Sequence, residues 1–249
     1  MFVEEIGTSL RMIIESKAYH HLGMVLRAKL GEEVLLMDRR GKRAVALVEE
    51  IRRGSIVLKI KEMVSIPVTE GLELVVIQAI LKNQANDYLI QRLSELGVEG
   101  IAFFEARRGI SRWSRKKTLE KLSHWDGVVI RSFLQCDRDV PIKILGPFLD
   151  AKEVAEFYKD LKGLKLVFHE KGSFDFKEVL KWKEHTDEKR AILAVGPEGG
   201  FTDEEIELFQ EAQFIPTCLG PRVLKAESVA MVAASIVQYT LGDLNRFDR

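Results

Sequence analysis

Arg222, Lys225 and Glu227 lie within six residues of one another, directly behind a Gly220-Pro221 turn. Two cations and one carboxylate held in a short loop place a positive and an acidic group beside whatever small ligand that loop encloses. A second loop has the composition of a ligand cradle: Ala191-Ile192-Leu193-Ala194-Val195 runs into Gly196-Pro197-Glu198-Gly199-Gly200. An apolar run ending in a Pro/Gly turn reads as a buried strand delivering a loop to the edge of a sheet, and glycines there permit close backbone approach. Thr202 and Glu205 then stand at capping-box spacing ahead of an apolar/acidic helical pattern. Each loop also fits a plain surface turn, with solvated cations and a Glu227 that does no more than favour a helix N-terminus. Neither G-x-G-x-x-G nor G-x-x-x-x-G-K-[ST] occurs, so the two familiar nucleotide fingerprints are excluded.

The elements that must position these loops alternate. From residue 72 onward the sequence predicts strands over 72–81, 100–105, 142–145, 164–168, 191–195 and 214–219. Helices are predicted over 87–96, through the basic region to about 133, and over 151–161, 177–183 and 203–212. Such alternation implies an α/β domain with a mostly parallel sheet covered on both faces, whose ligands gather at strand ends. Ahead of it, 34–37, 44–48 and 55–60 read as short strands punctuated by Gly31, Gly41 and Gly54, with one helix near 20–26: a small closed or half-closed barrel. A connector near 63–71 containing Pro67 sets the boundary, giving units 1–68 and 69–249. The final helix, from about Ala226 to Leu241, is apolar around nearly its whole circumference and rich in alanine. A buried helix and a dimer interface both account for it.

The chain has 249 residues and zero formal net charge, but its charges are segregated. Arg107, Arg108, Arg112, Arg115, Lys116, Lys117 and Lys121 face only Glu120 in one stretch, and 39–43 is a second basic turn. That polarity admits a nucleic-acid partner despite overall neutrality. Trp113 within the first stretch fits either a base-stacking platform or the core. The two cysteines and five histidines lack metal-ligand spacing, so no metal is expected. No apolar run approaches the roughly 20 residues of a membrane span, and the N-terminus has no signal-peptide pattern, so the expectation is no membrane and a cytoplasmic protein.

Taken together, Gly196 to Gly200 followed by Leu219-Gly220-Pro221-Arg222-Val223-Leu224 resembles the RsmE-type 16S ribosomal RNA uridine-N3 methyltransferases of the SPOUT superfamily. The likeness extends to Gln91-Arg92-Leu93-Ser94-Glu95-Leu96-Gly97-Val98, to Gln135-Cys136 with Arg138 and Pro141, to 21–30 and to Leu241-Gly242-Asp243-Leu244. Three segments depart from the family pattern: Lys225-Ala226-Glu227-Ser228 replaces Arg-Thr-Glu-Thr, Leu134 to Arg138 replaces Glu-Gln-Cys-Gly-Arg, and Glu105-Ala106-Arg107 replaces Ser-Glu-Arg. Lysine offers a point charge where arginine offers a bidentate fork.

The resemblance implies a SPOUT domain with a deep trefoil knot, a small N-terminal PUA-like β-barrel, a homodimer, and 16S rRNA on the small ribosomal subunit as partner. It implies S-adenosylmethionine as cofactor, lined by Phe168, His169, Gly196, Glu198, Gly199, Gly200, Leu219, Gly220, Val223 and Leu224. Arg222 would stabilise negative charge developing on the base, Lys225 would orient RNA, and Glu227 would accept the N3 proton. Arg107, Arg108, Arg112, Arg115, Lys116 and Arg138 would bind RNA.

Overall fold

The computed structural model describes residues 1–7, 9–15, 19, 22, 28–65, 71–82, 84–109, 113–136, 138–183 and 189–245. The chain divides into two compact units, Met1–Thr69 with Asp137–Pro141, and Glu70–Cys136 with Ile142–Arg249. The expected helix near 20–26, the pair His20-His21 and most of the connector near 63–71 lie outside the described residues.

The first unit is a four-stranded antiparallel sheet in the order β1-β4-β3-β2, with β1 Arg11–Glu15, β2 Glu33–Met37, β3 Arg43–Arg52 and β4 Ser55–Val64. Strict alternation along β3 sends Ala44, Ala46 and Val48 inward, where they meet Ile56, Leu58 and Ile60 of β4. Strand β1 was not predicted. It lies at the sheet edge with Ile14 buried and Ile13 exposed, so its hydrophobic signal is faint. Among the described residues β1 and β2 do not pair, and the outer side of β2 is met instead by the N-terminal segment, Phe2 bridging to Met37. Buried Asp38 organises the β2–β3 turn: its carboxylate accepts from the backbone N–H groups of Arg40 at 2.8 Å, Lys42 at 3.0 Å and Ile6 at 3.0 Å.

The second unit holds a seven-stranded sheet, all parallel, in the order β7-β6-β5-β10-β8-β11-β9. The strands are β5 Glu73–Ala79, β6 Gly100–Phe104, β7 Lys143–Phe148, β8 Leu164–Phe168, β9 Phe174–Asp175, β10 Arg190–Val195 and β11 Ile215–Cys218. Helices α1 Ala85–Glu95, α2 Arg115–Cys136, α3 Ala151–Tyr158, α4 Phe176–Lys183, α5 Asp203–Glu211 and α6 Ala226–Leu241 cover it. Every described residue of β6 and β8 is buried, as expected for strands sandwiched between helix layers. One face packs Leu74, Val76, Phe103 and Leu193 against α1, α2 and α6; the other packs Ile77, Phe104 and Ile192 against α3 and α5.

Helix α6 buries Ala226, Ala230, Ala233, Ala234 and Val237, spaced to form one stripe, against the sheet core. Small residues there allow the helix axis to approach the strands closely. Its opposite side leaves Val232 and Tyr239 exposed. The expectation of an apolar circumference thus separates into a buried alanine seam and a solvent-facing apolar side.

Candidate functional site

Strand β10 is central, paired with β5 on one side and β8 on the other, and it delivers Gly196 at its C-terminal end. Behind that glycine stands Gln78 of β5, fully buried, whose Nε2 donates to the carbonyl of Gly196 at 3.2 Å and to that of Ala79 at 3.0 Å. Gly200 N–H closes the turn on the carbonyl of Pro197 at 2.9 Å. Then α5 begins: Thr202 Oγ1 accepts from Glu205 N–H at 3.2 Å while the Glu205 carboxylate accepts from Thr202 N–H at 2.9 Å, a complete capping box. Buried Phe201 anchors the loop in an aromatic cluster with Phe104 and Phe209, ring centroids 6.1 and 5.4 Å away.

The second loop leaves β11, which runs parallel to β8. His169 N–H donates to the carbonyl of Thr217 at 3.1 Å, so the ends of β8 and β11 are tied together. Gly220 turns the chain with φ +79°, Lys225 stands in extended backbone as the N-cap residue, and α6 starts at Ala226. Gly200 has a similar left-handed φ of +69°. At both positions an added Cβ would meet nothing within 4 Å, so each loop turns a bare backbone toward open space.

That space is a single cavity of about 890 Å³ at the C-terminal edge of the sheet. Phe168 and His169 line it from the end of β8, Gly196, Glu198, Gly199 and Gly200 from the first loop, and Leu219, Gly220, Arg222, Val223, Leu224, Lys225 and Glu227 from the second. Phe168, Val195, Leu219, Leu224 and Val229 give it an apolar wall, while Lys82, Arg108, Glu170, Glu198, Arg222 and Lys225 supply charge. Val223 is 86% exposed and therefore sits on the rim rather than in the wall. The side chains of Arg222 and Lys225 are exposed and form no hydrogen bond with another described residue, leaving both cations available to a ligand. Glu227 is half-buried in the first turn of α6.

The residues expected to meet RNA fall in different places. Arg108 is a cavity-lining residue, its Nη1 donating to the carbonyl of Phe201 at 3.1 Å. Arg107 pairs with Glu204 at 3.3 Å on the surface. Hydrogen bonding to the Thr202 side chain holds the Glu204 carboxyl below the usual carboxylate range, helped by its own backbone and by Arg107 and Arg108. Arg115 and Lys116 occupy the exposed first turn of α2, where a shallow depression is lined by Ser114, Lys116, Lys117, Glu120, Lys121 and His124. Arg138 belongs to the first unit, where its carbonyl accepts from Arg43 Nη2 at 2.9 Å. Arg112 lies outside the described residues. Trp113 is half-buried against Trp125, ring centroids 5.7 Å apart, with Lys117 Nζ 5.6 Å from its ring. It belongs to the core edge rather than to a free stacking platform.

Lys82, Ala85 and Gln78 were missed. Gln78 and Lys82 sit at or just after the C-terminal end of β5 and Ala85 opens α1; strand position alone could have flagged Lys82, because ligands in parallel sheets bind at strand C-termini. Among the described residues no cluster of histidine, cysteine, aspartate or glutamate is arranged to hold a metal, and no helix is long and apolar enough to cross a membrane.

Comparison with known proteins agrees with this geometry. Residues 69–238 match the RNA methyltransferase domain family and residues 14–61 match the RNA methyltransferase PUA domain. Ribosomal RNA small subunit methyltransferase E of Buchnera aphidicola (subsp. Schizaphis graminum) is 28% identical over 241 residues, covering 94% of this chain and 93% of that protein. Its counterpart in Mycobacterium bovis is 25% identical over 228 residues, covering 90% and 85%. A methyltransferase structure from Legionella pneumophila, solved in complex with the cofactor SAM, superimposes with TM-score 0.84 at 28% identity over 98% of both chains. The structure of ribosomal RNA small subunit methyltransferase E from Neisseria gonorrhoeae, with 23% identity and TM-score 0.80 over 98% of each chain, shares the fold. A parallel sheet whose two glycine loops meet at one cavity, and the match of 69–238, place the chain in the RNA methyltransferase family, with a PUA domain ahead of its methyltransferase domain.

Proposed function

We propose that this protein transfers a methyl group from S-adenosylmethionine to N3 of a uridine in 16S ribosomal RNA, acting on the small ribosomal subunit as a cytoplasmic homodimer. The observation that carries the reading is the meeting of both glycine loops with Arg222, Lys225 and Glu227 around one cavity. The names of the Buchnera and Mycobacterium relatives support the substrate, and the SAM-bound Legionella structure supports the cofactor.

The cavity fits such a cofactor on its own terms. At about 890 Å³ it lies within the range of small-ligand sites, and its apolar wall of Phe168, Leu219 and Leu224 suits a flat aromatic base. Space beside Gly200 and Gly220 leaves backbone groups accessible to polar edges. S-adenosylmethionine, when bound, supplies an electrophilic methyl group on a sulfonium.

The chain's own residues do the rest. Uridine N3 bears a weakly acidic proton that must leave as the new bond forms, and the negative charge on the ring then spreads to its carbonyl oxygens. Arg222 stabilises that charge with a fixed positive group. Glu227 accepts the N3 proton, and its place in the first helical turn holds it beside the second loop. Lys225 and Arg108 orient the RNA at the mouth, and the basic first turns of α2 hold phosphates farther out. The exposed apolar side of α6, with Val232 and Tyr239, is the surface a second copy would cover, and the fold implied for this unit is knotted.

The test is to incubate the protein and labelled S-adenosylmethionine with unmethylated small ribosomal subunits, digest the RNA and identify the nucleoside by mass spectrometry. The expected product is 3-methyluridine in 16S RNA. A different methylated nucleoside would overturn the target. Failure to bind the cofactor at all would overturn the catalytic reading in favour of an RNA-binding assembly factor.

A further inference from the structure

Glu205 is only 1% exposed, yet its two carboxylate oxygens serve two separate segments of chain. Oε2 accepts from Thr202 N–H at 2.9 Å, which the capping box requires. Oε1 accepts from Arg107 N–H at 2.9 Å, which the capping box does not require. The second bond reaches 98 residues back along the chain, to the turn that follows β6. That turn, Ala106 to Gly109, is closed by Gly109 N–H donating to the carbonyl of Ala106 at 3.0 Å.

Two further contacts join the same segments. Arg108 Nη1 donates to the carbonyl of Phe201 at 3.1 Å, and a Cβ on Gly199 would come within 3.1 Å of both Arg108 Cβ and its carbonyl oxygen. The glycine loop and the arginine turn are therefore pressed together, closer at Gly199 than a Cβ ordinarily packs. A buried carboxylate that loses one of its two N–H donors keeps a desolvated, unsatisfied oxygen, so the arrangement resists partial opening. Arg108 reaches the cavity from this turn, while Arg107 points to the surface.

We propose that Glu205 is a positioning residue that locks the arginine turn after β6 to the glycine loop, so that filling the cavity and gripping RNA are thermodynamically coupled. This inference rests on the methyltransferase reading above. A ligand that settles the glycine loop also settles Arg108 at the cavity, where the RNA is to be gripped, and linkage makes the effect reciprocal.

Two substitutions at one position isolate the bond. Arg107→Ala and Arg107→Pro both remove the guanidinium, but only the second removes the N–H that Glu205 accepts. Arg107 is the second residue of its turn, where the fixed φ of proline is favoured. The measurement is affinity for unmethylated 16S RNA, with and without saturating S-adenosylhomocysteine. Wild type and Arg107→Ala are expected to bind RNA about fivefold or more tightly when the cavity is filled. Arg107→Pro is expected to bind each ligand alone but to lose that enhancement. Glu205→Gln, which sets an amide N–H₂ against one of the two donors, gives the same loss from the other side of the bond and replaces the proline variant if that one does not fold. Equal enhancement in the alanine and proline variants, enhancement retained in Glu205→Gln, or none in a wild type that binds both ligands would overturn the proposal and leave the methyltransferase reading intact. A wild type that binds neither ligand would overturn both.

Discussion

The side-chain amide of Gln78 donates to the carbonyl of Gly196 across the seam between β5 and β10, at 3.2 Å, from a fully buried position. Its own Oε1 has no hydrogen-bond partner among the described residues. Gln78→Leu removes the donor and the unsatisfied oxygen together, two losses of opposite sign at about 1–3 kcal/mol for an unpaired buried group. Overall stability should therefore move little, while the glycine loop loses its fixed carbonyl. Titration calorimetry should find S-adenosylmethionine bound about tenfold more weakly, since 1.4 kcal/mol is a factor of ten. An unchanged affinity would remove Gln78 from any role in the site.

Arg222→Ala should separate binding from chemistry. The guanidinium stands free at the second loop, so its loss should leave the melting temperature and cofactor affinity unchanged. Turnover should fall by about 10²–10³, the usual effect of deleting one group that stabilises developing charge. Single-turnover assays would show the loss in the transfer step, and full turnover would refute the assigned role.

Neutralising Lys116, Lys117 and Lys121 together should weaken RNA binding without touching the cavity. These side chains surround a shallow surface depression at the start of α2. If they meet phosphates, the slope of log affinity against log salt should drop by about 0.7–0.9 for each phosphate that no longer finds a cation. KM for RNA should rise while kcat at saturating RNA stays the same. A salt slope identical to wild type would make this a solvated helix face.

Tyr158, the last residue of α3 and not among the cavity-lining residues, supplies a pH dependence. Burial, with a smaller contribution from Glu73, pushes its hydroxyl up to about 12, against an ordinary value near 10. Between those two values the folded protein holds a proton that the unfolded chain has released, so stability must fall as pH rises from about 10 to about 12. Below about pH 10 the hydroxyl is protonated in both the folded and the unfolded chain and adds no pH dependence. Tyr158→Phe should flatten this part of the stability curve in urea titrations and lose nothing at neutral pH, because the hydroxyl has no hydrogen-bond partner among the described residues. An unaltered alkaline slope in the variant would contradict the assignment.

Much of this was legible because local signals agreed. The run Ala191 to Val195, the glycine turn and the Thr202–Glu205 pair each pointed to strand, loop and helix start, and β10, its loop and α5 follow that order. The second loop was legible for the same reason, with β11 ahead of Gly220 and α6 behind it. What stayed hidden depends on contacts between distant segments. Glu205 reads as a capping residue, and nothing near it in sequence announces its bond to Arg107. Lys165 looks like an interruption in Leu164 to Phe168, yet its buried ammonium donates to the carbonyls of Lys159 and Ala212, at the C-terminal ends of α3 and α5. Strand β9 is two residues long and exists only because β11 offers it an edge. The departures at Ala106 and Lys225 also differ in consequence: Ala106 is the buried first residue of the arginine turn, whereas Lys225 lies on the cavity wall.

The segment Asp137–Pro141, grouped with the first unit, sits between α2 and β7 of the second. Arg43 grips it through the carbonyl of Arg138 at 2.9 Å and the Asp139 carboxylate at 3.3 Å, and a Cβ on Gly41 would collide with the Asp139 carbonyl at 2.7 Å. Neither unit is thus a contiguous cassette in the gene. Cutting away residues 1–69 would strip this short loop of its seat and leave the methyltransferase unit carrying a piece of its neighbour.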